Sequence, residues 1–161
     1  MSAIAVIGPG RAGLSLTAAL ASSRAYEEVT LFGRHPQAPD HPVAHMQGVR
    51  YVYGLEPLSD DVRCVLLAVQ DDDLPEVVHA LAALGPAPQG CAAFHLSGAL
   101  PTDVLEPLHH QGFGVGSFHP LVSLSDPELS AARLAESWIA VTAAPEPFRV
   151  AEEVAYAVWA E

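Results

Sequence analysis

The 161-residue chain contains no lysine; all seven of its basic residues are arginines. This excludes a Schiff base or a lysine acid supplied by the chain itself. Basic residues are also few against nineteen acidic ones, giving a formal net charge of −12. General binding to nucleic acid or to an anionic membrane needs basic patches, so neither is expected as a partner. No apolar run approaches the roughly 18 residues that cross a bilayer. Residue 3 already begins a strand-like run, which leaves no room for an amino-terminal signal, and a cytoplasmic protein is expected. Cysteine is scarce: Cys64 and Cys91 each lie in or beside an apolar run and read as buried thiols, not as a disulfide or redox pair. Only 16% of residues are charged while half are hydrophobic, a composition suited to one folded domain with a substantial core.

The informative stretch is Ala3 to Gly13. Ala3-Ile4-Ala5-Val6-Ile7 reads as a buried parallel strand, broken at Gly8. Ala12 to Ala21 follows as an apolar helix. A strand, a G-x-G-x-x-G turn and a helix together form the context in which that pattern signals a dinucleotide. Gly8 would allow the tight turn, Gly10 the close approach of a pyrophosphate, and Gly13 the packing of helix on strand. Pro9, Arg11 and Ala12 complete the loop. Phosphates would lie on free N–H groups at the positive end of the helix dipole.

Further strands are expected at Val29–Phe32, Arg50–Tyr53, Val62–Val69, Cys91–Leu96, Phe113–Phe118 and Trp138–Thr142. Residues 35–48 read as irregular with one helical turn. Asp71-Asp72-Asp73 opens a helix carrying Leu74, Val77, Val78, Leu81 and Leu84, stopped by Gly85-Pro86. Leu100–His110 reads as a helix that Pro107 kinks or shortens, and Ser130–Glu136 as a short one. Pro147–Ala160 reads as a closing helix, within a last stretch (146–161) that leads toward a further domain. Strands alternating with helices give an α/β class: a doubly wound, mainly parallel Rossmann sheet with helices on both faces, spanning residues 1–161.

An NAD-binding domain usually places a carboxylate about 20 residues beyond the glycines, at the end of the second strand. Here that place holds Phe32-Gly33-Arg34. The missing carboxylate and the arginine favour NADP over NAD, although Arg34 also reads as a solvated loop residue. Arg11 lies along the pyrophosphate or faces water. Val69 and Gln70, ending the fourth strand, should line the cofactor near its ribose and nicotinamide. The three aspartates suit helix capping better than metal binding, and no metal is expected.

Two later strands end in polar clusters, His95-Leu96-Ser97-Gly98 and Ser117-Phe118-His119-Pro120. Ser97 is either a hydrogen-bond partner for the carboxamide or a substrate, or a cap before Leu100. His95 reads equally as a satisfied core histidine. His119, with Pro120 taken to end its strand at an exposed turn, is the candidate proton partner for hydride transfer. His109 and His110 suit a helix end, and His41 and His45 lack a third ligand for zinc.

Taken in order, G-P-G-R-A-G-L-S-L, A-V-Q-D-D-D-L, H-L-S-G-A-L and G-S-F-H-P-L resemble a known family. They are similar to the Rossmann-like oxidoreductases that carry a carboxy-terminal domain of unknown function, kin to pyrroline-5-carboxylate reductases and more distantly to prephenate dehydrogenases. The resemblance implies an NADP-binding domain followed by a helical domain that forms a homodimer and closes the active site. It implies that Gly8, Gly10, Gly13 and Arg34 serve the cofactor. In prephenate dehydrogenases a Ser and a His-Pro motif assist catalysis, and Ser97 and His119-Pro120 match those places loosely. The expected function is hydride transfer to or from a small carbonyl, imine or hydroxy acid; the alternative is a module that binds or senses NADP(H) without turnover. A histidine-rich metal protein is the remaining class, resting on eight scattered histidines without ligand spacing.

Overall fold

The computed structural model describes residues 2–159. Its first strand, β1 (Ala3–Ile7), shows how the core is divided. Successive side chains of a strand point to opposite faces. Ile4 and Val6 accordingly join one apolar cluster, and Ala3, Ala5 and Ile7 another on the far side. An apolar run without alternation is what a strand buried on both faces requires.

The helix α1 (Arg11–Ser23) packs with α4 (Pro127–Ala135) and α5 (Pro145–Trp159) over the first face. Leu16 and Leu20 of α1 are fully buried there, each contributing about 2 kcal/mol. On the second face lie α2 (Leu74–Ala82) and the short α3 (Glu106–His110), through Leu74, Val78, Leu81 and Leu108. The remaining strands are β2 (Glu28–Gly33), β3 (Val49–Tyr53), β4 (Val62–Leu67), β5 (Ala92–His95), β6 (Gly114–Pro120) and β7 (Ile139–Ala143). The seven-stranded sheet has the order β3-β2-β1-β4-β5-β6-β7. All neighbours are parallel except β7, which runs antiparallel to β6 at the edge. The doubly wound, mainly parallel sheet read from the sequence is what the chain forms. Cys64 and Cys91 are free, buried thiols; burial pushes the Cys91 thiol up to about 12.

Several local expectations are corrected. The helix expected over Leu100–His110 splits into a 3₁₀ turn, Thr102–Leu105, and α3, because Pro107 lacks the N–H a continuous helix needs and sits in α3's first turn. β6 runs on past Phe118: His119 pairs with Ala140 and Pro120 with Ile139, so Pro120 is the buried last residue of the strand and not an exposed turn. The aspartate triplet does not cap α2. Asp73 stands at the N-cap but its side chain makes no capping bond. Ala160, the expected last residue of the closing helix, lies outside the described residues. No helix among those described is long and apolar enough to cross a membrane.

Candidate functional site

Strand order reverses between β1 and β4, so the chain parts on either side of their carboxyl ends and leaves a crevice, the place where open α/β sheets take ligands. A cleft of about 320 Å³ opens there. Its walls include Gly8, Pro9 and Gly10 after β1, Gly33 and Arg34 at the end of β2, and Val69 and Gln70 after β4. Seven of the expected site residues are thus brought together. Arg11 instead points outward, exposed, from the first turn of α1. Ala12 and Gly13 sit behind the wall, Gly13 buried, and Ser97 lies outside the cleft.

The loop explains its own glycines. Gly8 has φ +106°, a left-handed conformation, and a Cβ there would collide with the Ala68 carbonyl oxygen. Its N–H donates to Phe32 O at 2.9 Å, tying β1 to β2. At Gly13 a Cβ would fall on the Gly8 carbonyl oxygen, with the Ala68 methyl at 3.4 Å. Gly10 is different. It is the N-cap of α1, in an ordinary extended conformation, and a Cβ there would meet nothing within 4 Å. No side chain caps α1, and no acidic residue lies in its first turn. The N–H groups that begin this helix are left to solvent or to a ligand, at the positive end of an uncompensated dipole.

The opposite wall is held from β3. The Tyr51 hydroxyl donates to His35 O at 2.6 Å, and its ring lies so close to Gly33 that a Cβ would stand 2.8 Å from Tyr51 Cε2. Gly54 N–H donates to Gly33 O at 2.7 Å. No carboxylate occupies the end of β2; Glu28, at the strand's start, is taken by Arg50 at 3.0 Å. Arg34 is 82% exposed, its guanidinium 3.9 Å from the Asp73 carboxylate across the cleft mouth. Asp73, Val77, Gly54 and Leu55 also line the cleft; in the sequence Asp73 reads only as a helix cap and Val77, at helical spacing, only as a core position, and Gly54 and Leu55 were not singled out. Gly54-Leu55 follows a strand running parallel to β1, so the rule that ligands sit at carboxyl strand ends would have found it.

Beside the cleft, at the ends of β4, β5 and β6, four polar residues form a connected frame. Ser97 Oγ donates to Asp71 Oδ2 at 2.9 Å and accepts from Ala99 N–H at 3.1 Å and Leu100 N–H at 3.0 Å. One donor and two lone pairs are all a hydroxyl has, so this one is fully used, closing the turn at Ala99 and Leu100; the helical turn it was expected to cap begins only at Thr102, after Pro101. His95 is buried: its Nδ1 accepts from Ser97 N–H at 3.1 Å and its Nε2–H donates to Pro101 O at 3.2 Å. It is a satisfied core histidine. His119, half-buried, donates from Nδ1–H to Leu96 O at 2.8 Å. That bond fixes the tautomer, leaving Nε2 to accept. A Cβ on Gly98 would come 2.8 Å from that Nε2, so Gly98 makes room for the ring.

Burial lowers the His95 pKa below its ordinary 6.5, with the Pro101 hydrogen bond opposing. A base with a lowered folded-state pKa holds its proton more readily when unfolded, so stability falls with acid. The stability this ring supports should be complete above about pH 6.5 and decline as the pH drops below it. Urea melts between pH 7.5 and pH 5 should show a shallower acid slope for His95→Gln than for the wild type, and parallel slopes would contradict the assignment.

His110 faces Glu106 at 3.5 Å on α3, and His41 Nδ1 accepts from Val43 N–H at 3.2 Å. Among the described residues no three His, Cys, Asp or Glu side chains come together as metal ligands would.

A family model described as the Rossmann-like domain matches residues 2–120. No curated protein matches by sequence. Solved structures are similar at low identity. A proposed NADP oxidoreductase from Bacteroides fragilis superposes with a TM-score of 0.77 at 16% identity, over 98% of this chain and 57% of that one. A V8 variant imine reductase from Myxococcus stipitatus, in complex with NAD+, gives 0.75 at 17%, over 98% and 52%. Plasmodium falciparum pyrroline carboxylate reductase, with NADP bound, gives 0.70 at 13%, over 97% and 55%. The chain therefore spans little more than half the length of each, and the likeness is one of fold.

Proposed function

The chain belongs to the Rossmann-like domain family, and from that premise we propose that its cleft holds a nicotinamide dinucleotide, NADP in preference to NAD, for hydride transfer with a small carbonyl, imine or hydroxy acid. One observation carries the reading: α1 begins uncapped, beside a glycine whose Cβ position is empty, inside the crevice at the reversal of strand order. These are the features a diphosphate needs. Gly8, Pro9 and Gly10 would hold it with the first backbone N–H groups of Arg11, Ala12 and Gly13, the Arg11 side chain staying in solvent. Arg34, exposed at the end of β2, would take a 2′-phosphate, while Val69 and Gln70 would face the ribose and nicotinamide end. A bound cofactor of this class supplies or accepts the hydride.

The chain's own part is orientation and a proton. His119, its ring set by the Leu96 carbonyl, presents Nε2 as the atom that takes a proton from a hydroxy acid in the neutral ring, or, with the ring as imidazolium, gives one to a forming alcohol or amine. Ser97 holds the strand end through Asp71, and meets the carboxamide or a substrate oxygen only when Asp71 releases its hydroxyl. We further propose that closure over the substrate and pairing of two copies belong to a helical domain of the kind the resemblance implies. A second reading, a domain that binds NADP(H) without turnover, is favoured by the full engagement of the Ser97 hydroxyl.

Loss of NADPH absorbance on mixing with a panel of keto acids and cyclic imines separates the two. Turnover with at least one class supports the enzyme. Tight NADPH binding with no turnover in any class supports the binding module.

A further inference from the structure

We infer that Asp73 is a specificity-determining residue at the adenosine end of the cleft, opposing Arg34 and keeping the preference for NADP small. The inference rests on the dinucleotide reading and concerns only which dinucleotide is taken. Asp71, Asp72 and Asp73 look alike in sequence but not in the fold. Asp71 is committed to the Ser97 hydroxyl, and Asp72 is exposed and does not line the cleft. Asp73 does line it. Although it stands at the N-cap of α2, its side chain makes no capping bond, and its charged partner among the described residues is Arg34, 3.9 Å away.

The two side chains come from opposite walls, Arg34 from the end of β2 and Asp73 from the start of α2, and meet over the same opening. They exert contrary selection. A guanidinium binds a 2′-phosphate through charge-assisted hydrogen bonds, while a carboxylate accepts from ribose hydroxyls and repels that phosphate. A phosphate arriving at Arg34 must displace Asp73 and then bear its negative charge a few ångströms away. NAD meets neither obstacle, since its 2′-hydroxyl can donate to the carboxylate. The arginine alone would give a strict NADP site; the pair gives one that tolerates both.

The test is fluorescence titration of NADPH and NADH into the wild-type chain and the Asp73→Asn variant, with Asp72→Asn as the control for net charge. Because the Asp73 side chain caps nothing, both variants should melt with the wild type. Asp73→Asn is expected to tighten NADPH about three- to tenfold while NADH stays level or weakens, and Asp72→Asn to leave the ratio within about twofold. Unchanged NADPH and NADH affinities in Asp73→Asn, or an equal effect from Asp72→Asn, overturn the inference and leave the dinucleotide reading standing. Uptake of neither dinucleotide by the wild type overturns both.

Discussion

Replacing Gly13 by alanine is expected to lower the stability of the chain by about 3 kcal/mol or more, at the upper end of overpacking effects. The added methyl has no way out. It falls on the Gly8 carbonyl oxygen, which belongs to a turn fixed by its own positive φ and by the Gly8–Phe32 hydrogen bond, and behind it stands the Ala68 methyl. Relief requires α1 to lift from β1 and β4, which would open the packing of Leu16 and Leu20. For a domain of this size the loss corresponds to a fall in Tm of roughly 6–12 °C by calorimetry. A variant melting within about 2 °C of the wild type would mean that α1 does not pack this closely.

Turnover, in whichever substrate class the panel identifies, should fall about 10²- to 10⁴-fold in His119→Ala, with NADPH affinity retained. Retention is expected because His119 lies on β6, outside the residues that line the cleft. The loss is expected because the ring is held for a purpose: Nδ1–H is tied to Leu96 O, Gly98 gives the ring room, and Nε2 is left to accept. Removing the ring also deletes one hydrogen bond, a change of about 1 kcal/mol, too small to account for such a loss of kcat. A kcat within threefold of wild type would leave the proton to another group and remove His119 from the account.

What the sequence made legible follows from how local each feature's cause is. The strand–turn–helix opening could be read because the positive φ of Gly8 and the approach of Gly13 to the Gly8 carbonyl are set within six residues, and the apolar runs identify the strands of a two-faced sheet. Arg34 could be placed at the end of β2 for the same reason. The features that escaped depend on distant partners. Pro120 looks like an exposed turn until antiparallel β7 pairs with it. Ser97 looks free until Asp71, 26 residues earlier, takes its proton. Asp73 looks like a cap until the fold sets it beside Arg34. Over Leu100–His110 the interruption at Pro107 could be read, but helix-like spacing hid the 3₁₀ winding of Thr102–Leu105, because periodicity survives a change from 3₁₀ to α winding.

The central claim, that a diphosphate rests against the start of α1, is tested most directly at Gly10. Its Cβ position is empty, so Gly10→Ala should fold and melt as the wild type does. Titrating NADPH calorimetrically into both proteins should give one site per wild-type chain and an affinity at least about tenfold lower in Gly10→Ala, since the methyl occupies the space the pyrophosphate approaches. Equal NADPH affinity in the two proteins, or no heat of binding in the wild type, would contradict the claim.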